Sequence, residues 1–161
     1  MTAPVHVVCD SVAATARCAT ALAAVVRPGQ LVVLAGGLGA GKTTFAKAYA
    51  SALGVTAPVT SPSYTLVHHY RCGPEAPIEL LLHADLWRLA DASELGDLDL
   101  HEQLADGAAA IVEWGDRFEP LLPGEHVVVT FHVLDEATRA LDIDLSRSGL
   151  SASAMDQVAT A

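Results

Sequence analysis

The stretch Leu31-Val-Val-Leu-Ala35, followed directly by Gly36-Gly-Leu-Gly-Ala-Gly-Lys-Thr43, decides the fold of this chain. Five consecutive apolar residues predict a β-strand covered on both faces, as the strands of parallel sheets are. The next eight residues satisfy G-x-x-x-x-G-K-[ST], the pattern of a phosphate-binding loop, and a helix is predicted from Lys42 to Leu53. A buried strand, a glycine-rich turn and a helix in this order predict an α/β domain of the P-loop NTPase-like kind.

The residue types in this loop match the chemistry of a triphosphate. Glycines lack a Cβ atom, so the backbone can turn its N–H groups inward around phosphate oxygens. The helix that follows contributes its positive dipole end and its unpaired N–H groups. Lys42 is placed to reach the β- and γ-phosphates, and the Thr43 hydroxyl to bind Mg²⁺. The loop therefore predicts a nucleoside triphosphate, ATP in our interpretation, with Mg²⁺ as its cofactor.

The rest of the chain predicts further strands around this unit. Apolar runs predict strands at residues 5–9, 64–70, 78–84 and 108–112. Residues 125–134 and 138–145 predict a closing antiparallel hairpin. We expect one domain over residues 1–145, with a mostly parallel central sheet flanked by helices and an antiparallel C-terminal hairpin.

Helical patterns fill the gaps between these strands. A helix is predicted after Ser11, its N-cap, and runs to Val26, before the stop at Arg27-Pro28-Gly29. Residues 87–105 predict a helical segment broken at Gly96. The Ser- and Ala-rich residues 146–161 predict a flexible C-terminal tail.

Composition narrows the class of partner. The 161 residues carry a formal charge of -10, and the two lysines, Lys42 and Lys47, lie five apart at one predicted helix start. Phosphate-backbone affinity needs clustered Lys and Arg, so strong direct binding of a nucleic acid is not expected. The start of the chain lacks a signal-peptide pattern, and no apolar stretch reaches the about 18 residues of a membrane span. These features predict a soluble, cytoplasmic protein with no membrane contact.

Two carboxylates follow apolar strands and are candidates for the acidic partner of the loop. Asp85 ends the run Glu79-Leu-Leu-Leu-His-Ala-Asp85, and Glu113 ends Ala108-Ala-Ala-Ile-Val-Glu113. A phosphate loop needs such a group to hold Mg²⁺ or its water shell. The sequence leaves open which of the two contacts the metal and which orients the attacking water.

Other classes of phosphate-loop protein agree with the sequence to different degrees. A GTPase needs Asn-Lys-x-Asp, and this chain contains no asparagine. A small-molecule kinase normally carries arginines on a lid, whereas the arginines beyond the loop are few and separated here. The kinase and a nucleotide-dependent binding module remain as alternatives to an ATPase.

Four blocks together resemble the bacterial TsaE (YjeE) family. In chain order they are Gly37 to Phe45, Ser61-Pro-Ser-Tyr-Thr-Leu-Val67, His83-Ala-Asp-Leu-Trp-Arg-Leu89 and Val112-Glu-Trp-Gly-Asp-Arg117. The first block is shared by many ATPases, whereas the second and fourth make the resemblance specific. The blocks occur in the order of the family, and the resemblance extends to about Leu145.

The resemblance implies a Mg-dependent ATPase that is weak alone and works with partner proteins. It implies a role in forming threonylcarbamoyladenosine (t6A) at position 37 of tRNAs that read codons beginning with A. The partners implied are a TsaD-like transferase and a TsaB-like protein, which would hold the tRNA. The six carboxylates from Asp91 to Asp106 are then either a solvated helical face or a docking surface.

The resemblance also implies roles for individual residues. Lys42, Asp85 and Glu113 would be catalytic, and Thr43 and Glu113 would contact the metal. The nucleotide-binding residues would be Ser11, Thr15, Gly39, Ala40, Gly41, Lys42, Thr43, Thr44, Ser61, Thr65 and Trp114. This sequence departs from the family at Gly37, where an acidic residue is common, and at Trp87, where Tyr or Phe is usual.

Overall fold

Strand β2, Leu31–Ala35, lies at the centre of the sheet, and all five of its residues are buried. A computed structural model of the chain describes residues 3–62 and 65–161. Within these ranges seven strands form one sheet in the order β1-β7-β6-β2-β5-β4-β3. The elements in chain order are β1 Val5–Cys9, α1 Val12–Ala23, β2, α2 Lys42–Ala52, β3 Val67–Arg71, β4 Leu80–Asp85, a 3₁₀ segment Ala92–Leu98, α3 Leu100–Ala105, β5 Ala109–Glu113, a 3₁₀ segment Gly115–Leu121, β6 His126–Val133, β7 Arg139–Asp144 and α4 Ala152–Ala159.

The predicted mixed α/β class is confirmed, but the sheet is parallel only in its centre. Strands β6, β2, β5 and β4 run parallel to their neighbours. The outer strands are antiparallel, with β3 against β4 at one edge and β7 and β1 at the other. The C-terminal hairpin is confirmed as β6 and β7, and β6 also joins the parallel centre beside β2.

Helical segments cover both faces of the sheet. The side chains of β2 alternate between the two faces and are all apolar, so each face must be shielded from water. Val32 and Leu34 point to the face where α1, α2 and α4 pack, and Phe45 and Tyr49 of α2 are fully buried there. Leu31 and Val33 point to the opposite face, which α3 and the two 3₁₀ segments cover. A five-residue strand without a polar side chain is the sequence signature of this double coverage.

The first helix begins where the sequence predicts and ends three residues before the predicted Val26. Ser11 is its N-cap and accepts a hydrogen bond from the Ala14 amide at 3.1 Å. The helix ends at Ala23, and turns carry the chain on to Val26. Its buried face includes Cys18 and Leu22, whereas Val12 at its start is 70% exposed.

The predicted strand at residues 64–70 begins at Val67, and residues 63 and 64 lie outside the described residues. The helical prediction for residues 87–105 is correct only towards its end. Residues 86–91 are irregular, and the break falls at Asp99, which has the left-handed φ of 53°. Gly96 lies inside the 3₁₀ segment instead.

The segment expected to be a flexible tail contains helix α4. Ser151 caps it through a hydrogen bond from Ala154, and the helix packs against β1 and α1. Val158 is fully buried in the core on that face. No helix among the described residues is both long and apolar enough to cross a bilayer.

We predict that Val158→Ala lowers the free energy of unfolding by about 1.5 kcal/mol, because two buried methyl groups are lost. The control is Gln157→Ala, an exposed neighbour on the same helix, which should change it by less than about 0.5 kcal/mol. Urea unfolding followed by circular dichroism measures both. Equal, negligible effects would show that α4 does not contribute to the fold.

Candidate functional site

The turn between β2 and α2 uses backbone conformations that favour glycine. Gly36, Gly39 and Gly41 have φ of 143°, 74° and 108°. A Cβ atom at Gly36 would lie 3.0 Å from the Phe131 Cβ and carbonyl oxygen of β6. The loop therefore lies directly on the sheet, and its residues from Leu38 to Thr44 line a cleft. Gly37 differs, since a Cβ atom there would meet nothing within 4 Å.

Lys42 is held inside this loop and is 4% exposed. Its Nζ donates to the carbonyl oxygens of Gly36 and Gly37, at 2.8 and 2.7 Å. The same atom lies 3.7 Å from the centre of the Trp114 ring, a cation–π contact. Burial lowers the pKa of Lys42 below its usual range, although nearby carboxylates, Glu113 first, oppose the shift. Carbonyl partners are weaker acceptors than charged oxygens, so an anion in the cleft would compete for this ammonium group.

Thr43 and Glu113 meet although they are 70 residues apart. The Thr43 hydroxyl donates to Glu113 Oε2 at 3.1 Å, and Glu113 Oε1 lies 3.0 Å from His83 Nε2. Glu113 is 3% exposed. A hydroxyl and a carboxylate are the oxygen ligands that Mg²⁺ prefers. The donor set therefore fits a magnesium ion at the start of α2.

Asp85 is the neighbour of Glu113 across the β4–β5 pairing, as expected for the carboxyl ends of adjacent parallel strands. The hydrogen-bond partners of its two oxygens differ from those of Glu113. Oδ2 accepts from the Ser61 hydroxyl at 3.0 Å, and Oδ1 accepts from the Trp87 amide at 2.9 Å. Asp85 thus connects the segment before β3 to the edge of the sheet that carries the loop.

Trp114 covers the lysine and has a strained backbone. Its φ is 59°, a left-handed value that costs a non-glycine residue roughly 1–3 kcal/mol. Its ring packs on that of Trp87, with centroids 4.4 Å apart. The half-exposed Trp87 therefore extends the aromatic cover from Lys42 to the surface.

Two clefts share the loop. The first has a volume of about 230 Å³, and the following residues line it: Leu38 to Thr44, Glu113 and Trp114. The second has a volume of about 320 Å³ and takes Gly39, Ala40, Gly41 and Thr44 from the loop, with Ser11 and Thr15 of the α1 start. The structure thus places Ser11 and Thr15 beside the loop, next to the cleft that Lys42 and Glu113 line.

Sequence reasoning missed two residues of this region. Arg139, the first residue of β7, lines the second cleft and donates from Nε to the Ala40 carbonyl at 3.0 Å. His83 bonds to Glu113 from inside β4. No motif marks Arg139, because it follows the loop by about a hundred residues and reaches it only through the β6–β7 hairpin. His83 carried a signal, since it is a polar residue in an apolar strand.

Of the two nucleotide-binding residues expected in the block from Ser61 to Val67, only one contacts a site residue. Ser61 reaches Asp85, as described, whereas Thr65 is exposed in the turn before β3. Thr65 is not among the described residues that line either cleft. Ser63 and Tyr64 of the same motif lie outside the described residues.

Comparison with known proteins identifies relatives of the whole site. The sequence model of the family described as "Threonylcarbamoyl adenosine biosynthesis protein TsaE" matches residues 9–141. Among curated proteins named "tRNA threonylcarbamoyladenosine biosynthesis protein TsaE", that of Aquifex aeolicus is 36% identical over 140 residues, covering 86% of this chain and 94% of the relative. That of Treponema pallidum is 34% identical over 131 residues, covering 80% and 92%. That of Bacillus subtilis is 40% identical over 107 residues, covering 66% of this chain and 64% of the relative, less than two thirds of its length.

A solved structure shares the fold. The crystal structure of YdiB from Bacillus subtilis superposes with a TM-score of 0.74, at 24% sequence identity. The match covers 99% of this chain and 97% of that one. The overall fold of this chain therefore occurs in a solved protein.

We predict that alanine substitution destabilises the protein at one of two adjacent loop glycines and not at the other. Gly36→Ala should lower the free energy of unfolding by roughly 1–3 kcal/mol, because its φ is left-handed and its Cβ atom meets Phe131. Gly37→Ala should stay within about 0.5 kcal/mol of the wild type. Urea unfolding of the two variants measures the difference. Equal effects would contradict this loop geometry.

Proposed function

Because the chain belongs to the TsaE family, we propose that it binds and hydrolyses ATP as an accessory protein of t6A formation in tRNA. The family takes part in threonylcarbamoyladenosine biosynthesis. The observation that carries the ATPase proposal is the buried Lys42 beside a Thr43–Glu113 pair, at a glycine loop that opens α2. This combination supports a P-loop NTPase-like site, with ATP and Mg²⁺ as its cofactors.

In this proposal the loop binds the triphosphate by replacing contacts that already exist. Lys42 would exchange the carbonyls of Gly36 and Gly37 for phosphate oxygens, which are charged and therefore stronger acceptors. The loop residues Gly39 to Thr44 would hold the phosphates with their amides, and the N-terminus of α2 would add its dipole. The exchange keeps Lys42 bonded in both states, so the buried ammonium group is never left without acceptors.

The two acids take different roles in this proposal. Glu113 contacts Thr43, so these two residues hold the metal side of the site. When bound there, Mg²⁺ offsets the negative charge on the phosphate oxygens. Asp85 contacts Ser61 rather than the loop, and it is the acid proposed to orient the attacking water. The bond to Ser61 connects that position to the segment before β3.

The base of the nucleotide is assigned to the second cleft. Ser11 and Thr15 of the α1 start line it together with the loop, and Arg139 of β7 lines it as well. Trp114 stands on the other side of the loop, over Lys42. A ligand that fills both clefts would therefore bridge the start of α1 and the ends of β2 and β5.

The partners proposed are a TsaD-like transferase and a TsaB-like protein. The charge of -10 and the presence of only two lysines, one of them inside the loop, support a role in which those proteins hold the tRNA. A cytoplasmic location follows from this role and belongs to the proposal. Weak turnover by the isolated chain is part of it as well.

We predict that Lys42→Ala weakens ATP binding and lowers turnover by about 100-fold or more, because the phosphates lose their buried cation. Lys47→Ala is the matched control, since Lys47 is the other lysine of α2 and its side chain is exposed. Calorimetry with Mg-ATP and release of free phosphate measure the two effects. Indistinguishable lysine variants would contradict the loop assignment.

We also predict that turnover rises when the TsaD-like and TsaB-like proteins are both added. Phosphate release is measured with the chain alone, with each partner and with both, and a pull-down with and without ATP tests the contact. ATP binding without any turnover in the full mixture would favour a nucleotide-dependent binding module. Phosphate transferred to an added metabolite would favour a small-molecule kinase.

A further inference from the structure

His83 is a buried polar residue that the proposed function has not used. It lies in β4, is 1% exposed, and has Leu82 and Ala84 as fully buried neighbours. Its Nε2 is 3.0 Å from Glu113 Oε1, across the β4–β5 pairing. An aliphatic side chain would suit this strand better for packing alone, because burying an imidazole costs free energy unless it is hydrogen-bonded.

The contact fixes which nitrogen carries the proton. An ionised carboxylate only accepts hydrogen bonds, so Nε2 must be the donor towards Glu113. Nδ1 is buried and has no hydrogen-bond partner among the residues that the structure describes. Protonation on Nε2 satisfies Glu113, and a bare Nδ1 leaves no unpaired N–H in the core.

The donors at Glu113 are complementary. His83 contacts Oε1 from strand β4, and Thr43 donates to Oε2 from the start of α2. The Thr43 hydroxyl has lone pairs left for a cation while its O–H donates to Oε2. Thr43 lines the cleft, so a bound ligand would contact it. His83 is buried in the core, so its bond to Glu113 does not face the ligand.

We propose that His83 is a positioning residue that holds the Glu113 carboxylate in the orientation needed for Mg²⁺. The inference rests on the proposed function, since it concerns the metal side of the same site. Partners that orient a metal ligand affect metal affinity by roughly 10–100-fold when they are removed. His83 should therefore affect the response to Mg²⁺ and leave metal-free binding of the nucleotide unchanged.

The test compares His83→Leu, which removes the donor, with His83→Gln, whose amide N–H can reach the position of Nε2. Calorimetry measures ATP binding in EDTA and at increasing Mg²⁺. We expect His83→Leu to need about 10-fold more Mg²⁺ than the wild type. Without metal, it should bind ATP as the wild type does. The expected response of His83→Gln lies within about 3-fold of the wild type, as rescue by a retained donor predicts.

Nitrogen-15 NMR of the apo protein provides a readout that needs no metal. Long-range proton couplings should show His83 protonated on Nε2 and bare on Nδ1. His69→Leu is the control variant, because His69 is exposed on β3 and bonds to Gln103. It should leave the response to Mg²⁺ unchanged.

The outcomes separate this inference from the proposed function. If the wild type responds to Mg²⁺ and folded His83→Leu responds equally, or if NMR shows the proton on Nδ1, only the role of His83 is overturned. Should His83→Leu fail to fold, His83→Gln and the NMR result decide in its place. A wild type whose ATP binding ignores Mg²⁺ overturns the proposed function and the role of His83 together.

Discussion

The close packing of a backbone loop on the end of the sheet is the constraint on which the site depends. Gly36 lies against Phe131, where an added Cβ atom would come within 3.0 Å of the Phe131 Cβ and carbonyl oxygen, and the chain passes this contact on its way from β2 into α2. That path brings the start of α2 to the edge where β4 and β5 end. Lys42, Thr43 and Glu113 are consequently brought together by main-chain geometry before any ligand is considered.

Charge in this small region is balanced locally. A chain with a formal charge of -10 buries one lysine among carbonyls, an aromatic ring and carboxylates. Burial alone disfavours the ammonium form, and the neighbouring acids offset part of that cost. Glu113, in turn, is buried with hydrogen-bond donors at both oxygens. Each charged group therefore has partners within the fold, and a phosphate ligand would exchange partners rather than find a bare charge.

The outer strands extend this site beyond the parallel centre. β7 lies beside β6 and carries Arg139 to the loop, while β1 leads into Ser11 at the start of α1. The second cleft thus depends on antiparallel pairings between the two ends of the chain. Helix α4 packs on β1 and α1, so residues far from the loop support the wall of that cleft.

The sequence alone determined the parts of this protein that depend on local pattern. The run Leu31 to Ala35 predicted a strand buried on both faces, and the glycine spacing predicted the loop and the start of α2. Apolar runs ending in Asp85 and Glu113 predicted two acids at strand ends as candidate partners of the loop. Only the tertiary structure decided the strand order, the contact of Glu113 with Thr43 and His83, and the approach of Arg139. These depend on which strands pair across long separations, and no local pattern encodes that choice. The helix after residue 151 was missed for the same reason, since a Ser- and Ala-rich segment becomes ordered there by contact with a core formed elsewhere in the chain.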